Sequence, residues 1–62
     1  MRNKKFQIGD RYRGEINKEI FEVVNQIIQN GKRYIVFKHE RTQETFNYEL
    51  RHAQELLLSK IN

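Results

Sequence analysis

The dipeptide Asn30-Gly31 constrains this chain more than any other pair of residues. Ile27-Ile28 precedes it and Tyr34-Ile35-Val36-Phe37 follows. A type I′ turn needs positive φ at both central residues, which Asn and Gly reach with least strain. Asn-Gly between apolar, β-branched runs therefore marks a two-residue hairpin. Strands are expected at about 19–29 and 32–39, with Gln29 opposite Lys32. A second turn is expected at Glu40-Arg41-Thr42-Gln43, followed by a strand at about 44–48. Ahead of the hairpin, Gly9-Asp10-Arg11-Tyr12-Arg13 reads as a first strand, with Phe6 and Ile8 leading into it.

After Tyr48 the period of the apolar residues changes. Leu50, Ala53, Leu57 and Ile61 fall at helical spacing, and Leu56 and Leu58 widen the apolar arc. Glu49 near the start and Lys60 near the end match the helix dipole, and Asn47 is a candidate N-cap. The expectation is a C-terminal helix over about 49–60. The fold class is then mainly β (α+β), a four-stranded antiparallel meander closed by one helix.

Register turns these strands into surfaces, because directly opposed residues share a face. Pairing outward from Gln29 and Lys32 puts Ile20, Val24, Ile28, Ile35 and Phe37 together. A four-residue second turn adds Phe46 opposite Phe37 and Tyr48 opposite Ile35. This face is taken as the core, covered by Leu50, Ala53 and Leu57 and joined by Tyr12 and Ile8. The opposite face carries Phe21, Val23, Asn25, Ile27, Lys32, Tyr34, Val36, Lys38, Thr45 and Asn47. A slip of one residue would exchange the two faces. Two semi-apolar faces suit a strongly coiled sheet, with its inner face filled and its outer face partly covered.

Sixty-two residues make one domain, and a chain of this size buries only about 60% of the surface it exposes when unfolded. No cysteine is present, so neither a disulfide framework nor a thiolate metal site is available. No apolar run approaches the roughly 20 residues that span a bilayer, and no apolar stretch follows the basic N-terminus as in a signal peptide. A reduced, cytoplasmic setting without membrane contact is the expectation. The net charge of +4 is concentrated at the front: Arg2, Lys4 and Lys5 form a basic arm over residues 1–5. From Phe6 onward the other nine of the twelve Lys/Arg nearly balance the eight Asp/Glu. Residues 6–62 thus form a nearly neutral body behind a flexible basic arm, which either follows a phosphate backbone or is simply solvated.

Two stretches resemble known proteins. Phe6-Gln7-Ile8-Gly9-Asp10-Arg11-Tyr12 resembles the opening strand of small SH3-like barrels, where a Gly-Asp step precedes an inward apolar residue. The run Thr42-Gln43-Glu44-Thr45-Phe46-Asn47-Tyr48-Glu49-Leu50, with His52 after it, is similar to short uncharacterised proteins of Gram-positive phages and integrative elements. Those proteins often have Gly after the Thr, where this chain has Gln43. Asn, Lys, Ile, Phe and Tyr supply 26 of the 62 positions, and their AT-rich codons agree with a low-GC bacterial or phage origin. The resemblance implies an SH3-like roll or barrel and carries over no functional residue.

Catalytic chemistry finds little support. His39 and His52 have no second ligand at a metal-binding spacing, and Glu49 with His52 at i, i+3 is a common surface pair. Ser59 is the only serine, and Thr42 and Thr45 suit a turn and a strand. No Gly-rich phosphate loop or nucleophile elbow occurs, and the carboxylates are spread among basic residues. The chain is expected to be non-enzymatic, with no cofactor and no metal.

Two roles remain. One is a protein-interaction module or small regulator, its partner another protein or a second copy, acting through a half-apolar outer face or an open strand edge. The other is a nucleic-acid-binding module, in which Phe21 and Tyr34 stack on bases and Asn25 and Asn47 read base edges. Lys32, Arg33, Lys38 and Arg41 would contact phosphates beside the arm of Arg2, Lys4 and Lys5. About 5 neutralised phosphates correspond to a log–log salt slope of roughly −3.5 to −4.5, which means weak, non-specific binding. The interaction role is placed first, and homodimerisation is compatible with either.

Overall fold

The computed structural model describes residues 5–61. Along the chain run β1 (Arg11–Gly14), β2 (Ile20–Gln29), β3 (Lys32–His39), β4 (Thr45–Glu49), α1 (Leu50–Glu55) and β5 (Leu58–Lys60). Every strand pair is antiparallel, and the five strands make one sheet in the order β4-β3-β2-β1-β5, not closed into a barrel. The Asn30-Gly31 turn forms as the sequence requires, with φ of 53° and 75°, and Gln29 pairs with Lys32. The second hairpin also takes the expected register, Phe37 opposite Phe46 and Ile35 opposite Tyr48. Its turn places Gln43 at φ 66°, the left-handed conformation that Gly reaches freely. The Gln43 N–H donates to the His39 carbonyl at 2.8 Å and its side-chain amide to the Glu40 carbonyl at 2.8 Å, which hold the bend without glycine.

Two expectations are corrected. The C-terminal helix does not run over 49–60: it spans only Leu50–Glu55, is preceded by Glu49 rather than capped by Asn47, and has no side-chain cap. At Leu56 the backbone turns extended (φ −70°, ψ 142°), and the chain returns as a fifth strand along β1. So short a helix has little intrinsic stability. The β1 edge, by contrast, offers unpaired backbone groups that must find partners when covered. β5 pairs with it, and flanking bonds from Ile61 N–H to Arg11 C=O and from Glu15 N–H to Leu57 C=O, both 2.9 Å, extend the contact. The sheet is therefore five-stranded, a four-stranded meander with β5 added beside β1.

The second correction concerns which face of β2 is buried. The β2–β3 register shifts between Val23 and Asn25, a β-bulge that leaves Val24 without a partner. Beyond the bulge the expected pairing holds, and Gln26 opposes Ile35. Before it the alternation reverses, so that Val23 opposes Phe37 and Phe21 opposes His39. Val23 is consequently 0% exposed, whereas Ile20 and Val24 are only half-buried and Ile28, near the hairpin tip, is 71% exposed. Ile8 and Leu57, also expected in the core, are exposed.

The core consists of Phe6, Tyr12, Val23, Ile35, Phe37 and Ala53, with Phe21, Leu50, Leu56 and Leu58 packed against it. Phe6 lies ahead of the first strand, yet its ring sits 5.2 Å from Tyr12 and 5.4 Å, edge-on, from Phe37. Its carbonyl accepts a 2.7 Å hydrogen bond from the Gln26 side chain, which accounts for a polar residue at an inward position. The Tyr12 hydroxyl donates to the Lys5 carbonyl at 3.2 Å. The entering segment is thus clamped over the sheet from both sides. Among the described residues no helix is long and apolar enough to cross a membrane. Arg2 and Lys4 of the basic arm lie outside the described residues.

Candidate functional site

The eight residues expected to share a binding face separate into two groups. Asn25, Lys32, Tyr34, Lys38 and Asn47 do lie on one face, grouped around Val36, which pairs with Asn25 on one side and Asn47 on the other. Val36 is buried there and Tyr34 half-buried. Two carboxylates share this face, Glu22 opposite Lys38 and Glu49 opposite Tyr34. The other three residues go elsewhere. The bulge turns Phe21 inward, where its ring meets His39 edge-on at 5.1 Å. Arg33 lies opposite Ile28 on the inner side, lining a hollow with Lys5, Phe6, Gln26 and Leu50. Arg41 is drawn to Glu19 at 3.3 Å.

At that end of the sheet the β1–β2 loop and the β3–β4 turn are tied by charge. His39 is nearly buried, and its Nδ1 accepts the Thr42 backbone N–H at 3.1 Å. The proton therefore sits on Nε2, which donates to Glu19 Oε1 at 2.8 Å. Hydrogen bonding from Arg41, aided by its charge and by His39, holds the Glu19 carboxyl below the usual carboxylate range, against a smaller opposing effect of desolvation. Arg11 reaches Glu40 at 2.7 Å beside this cluster. Both histidine nitrogens are engaged, and the contacts of Glu19 with His39 and Arg41 join the β1–β2 loop to the β3–β4 turn. Among the described residues no three of His, Cys, Asp and Glu gather as a metal-binding group.

A second surface feature has no counterpart in the expectations from sequence. A groove of about 380 Å³ opens between the β1–β2 loop and the α1–β5 segment. Phe21, Phe37 and Tyr48 form its floor, and Ile16, Leu56, Leu57 and Leu58 its walls. Ile16 is 80% and Leu57 58% exposed, so the rim presents apolar side chains to water. Among the described residues the only charged ones lining it are Glu15 and Glu55, a locally acidic rim on a chain of net charge +4. The Glu15 carboxylate accepts the Ser59 hydroxyl at 3.0 Å, which ties the loop to β5. At the groove's end a Cβ on Gly14 would lie 2.5 Å from Asn17 Oδ1 and would displace that side chain. That oxygen accepts the Glu19 N–H at 2.9 Å and shapes the loop.

The groove exists because the sheet does not close and because the chain leaves the helix at Leu56 and pairs with β1 from Leu58 on. Helical spacing put Leu57 in the core and gave Ile16 no place, so the sequence offered no sign that they would meet. An isolated apolar Ile16 between the polar Glu15 and Asn17 was the one available signal. In comparisons with protein families, curated proteins and solved structures, no family model, curated protein or solved structure matches the chain.

Proposed function

We propose that the protein is a non-enzymatic interaction module that holds a segment of another protein in the groove between the β1–β2 loop and the α1–β5 segment. The observation that carries this reading is the combination of an open apolar groove with exposed Ile16 and Leu57 and with the carboxylates Glu15 and Glu55 in its lining. Complementarity then asks for a segment with one or two apolar side chains next to Lys or Arg. Burying one large apolar side chain contributes about 1.5–3 kcal/mol, whereas micromolar binding needs about 8 kcal/mol. Several residues of the partner must therefore take part, and Glu15 and Glu55 select among them. A small regulator that blocks or bridges a host protein fits this surface and the phage-like composition. The strand order, the antiparallel pairing and the helix just before β5 support reading the sheet as an SH3-like roll.

Selection from a random displayed-peptide library tests the proposal. Enrichment of peptides that pair an apolar residue with Arg or Lys is expected. Their binding should be lost in Leu57→Asp and weakened in Glu15→Gln/Glu55→Gln. Failure to enrich any peptide, or binding that survives Leu57→Asp, would rule the groove out.

A second reading, weak nucleic-acid binding, draws on Lys32, Tyr34, Lys38, Asn25 and Asn47 sharing the outer face. Glu22 and Glu49 on the same face work against it. Salt-sensitive anisotropy of labelled DNA or RNA that drops in Tyr34→Ala would support this reading, and the absence of binding at low salt would end it.

A further inference from the structure

β4 is an edge strand, and among the described residues no strand pairs with its outer side. Natural edges are commonly blunted by lysine, proline or a bulge. Thr45-Phe46-Asn47-Tyr48-Glu49 has none of these, and its single charge is at one end. We propose that the partner of this edge is a second copy of the chain, joined antiparallel β4-to-β4 about a two-fold axis at Asn47.

Backbone direction fixes the register. In the two-residue hairpin Gln29 and Lys32 exchange hydrogen bonds, so Lys32, Tyr34 and Val36 direct their backbone groups toward β2. The alternate residues Ile35 and Phe37 direct theirs toward Tyr48 and Phe46. The His39 N–H bond to the Glu44 carbonyl, at 2.7 Å, continues the same phase. Thr45, Asn47 and Glu49 therefore turn their backbone N–H groups outward. A two-fold axis at Asn47 makes it a hydrogen-bonded pair with its own copy and sets Thr45 against Glu49. It is also the register in which all five residues overlap.

Side chains agree with this register on both faces. Phe46 meets Tyr48 of the second copy in the closer, non-hydrogen-bonded type of pair, on the face where both rings are now more than a third exposed. On the other face Lys38 lies beside Thr45, and beyond Thr45 comes Glu49 of the second copy. Two strand spacings are about 9.6 Å, a gap that a lysine and a glutamate can bridge over a threonine. No like charges oppose each other. Two five-residue strands bury less than the roughly 1,200 Å² of a standard interface, so the dimer is a weak one that forms at high concentration. Of the residues that pair in it, Tyr48 alone also lines the groove.

Sedimentation velocity between about 10 µM and about 1 mM, a range set by the small interface, tests this directly. The mass should climb from 7.6 kDa toward twice that value. Asn47→Lys, which sets lysine against lysine at the axis, should stay monomeric with an unchanged thermal midpoint. Asn47→Asp should do the same, and an equimolar mixture of the two should associate. A wild type that stays monomeric throughout, an Asn47→Lys protein that still dimerises, or a mixture that fails to associate overturns the proposal.

Discussion

Replacing each of two adjacent valines by alanine distinguishes the bulged hairpin from the unbulged one. In the structure Val23 opposes Phe37 and is 0% exposed, while Val24 is the unpaired, half-buried residue of the bulge. Unbroken alternation from the turn would assign Val24 to the position opposite Phe37. Val→Ala removes the equivalent of two methylene groups, about 1.6 kcal/mol of transfer free energy at full burial. The unfilled space beside Phe37 and Tyr12 raises the total to about 2–3 kcal/mol. The same change at a half-buried position should cost below about 1 kcal/mol. A 62-residue domain holds about 3–9 kcal/mol, so both variants remain measurable. Urea unfolding followed by far-UV circular dichroism is the assay. With m near 1 kcal/mol/M, Val23→Ala should lower the midpoint by about 2 M or more and Val24→Ala by less than about 1 M. Equal losses, or a larger loss at Val24, would refute the bulge and restore the unbroken register.

Three further outcomes are expected. Burial, helped by the Asp10 carboxylate, raises the Tyr12 phenol above its ordinary value of 10.0. The unfolded chain then ionises first, so stability is full below about pH 10 and falls as pH rises toward the raised folded value. Tyr12→Phe should remove that alkaline loss in urea titrations across pH. Glu19 has the opposite sign: its folded carboxyl is lowered by Arg41 and His39, so its contribution is full above the ordinary carboxylate value and lost as pH falls through the lowered one. Glu19→Gln should flatten the acid limb of the same titration. Lys18 is exposed at φ 64°, and Lys18→Gly should raise stability by about 0.5–1 kcal/mol by relieving left-handed strain, read as a higher urea midpoint.

Much of the sheet could be read from residue types. Asn30-Gly31 set the first hairpin, and the pairs Phe37–Phe46 and Ile35–Tyr48 followed from counting the second turn. The bulge was not legible, because Val23 and Val24 are equally apolar and either can occupy the buried position. Its cause lies in the tertiary structure: the Val23 N–H bonds the Asp10 carbonyl and its carbonyl accepts the Gly9 N–H, both at 2.8 Å. β5 was hidden for another reason. At Leu58-Ser59-Lys60 a strand of three residues is too short for its period to stand out from a helical arc, and the free edge of β1 decides the conformation. Phe21 was lost from the expected binding face through the bulge, and Arg41 through Glu19, a partner 22 residues away. The groove required both errors to be corrected before its walls could meet.

The pairing of β1 with β5 also sets the order in which the molecule closes. The β2–β3 hairpin joins neighbours in the chain and can form within microseconds. Arg13 and Ser59, by contrast, meet across nearly the whole length of the protein, so the entropy of closing that loop is lost before its few bonds compensate. A three-residue strand held at such a separation is the last element to arrive and the first to leave. Leu57 and Leu58 leave with it, so one wall of the groove opens and shuts with the rhythm of strand detachment. Any molecule lodged against that wall would act as a latch, slowing amide exchange at Arg13 and Glu15, whose N–H groups face β5.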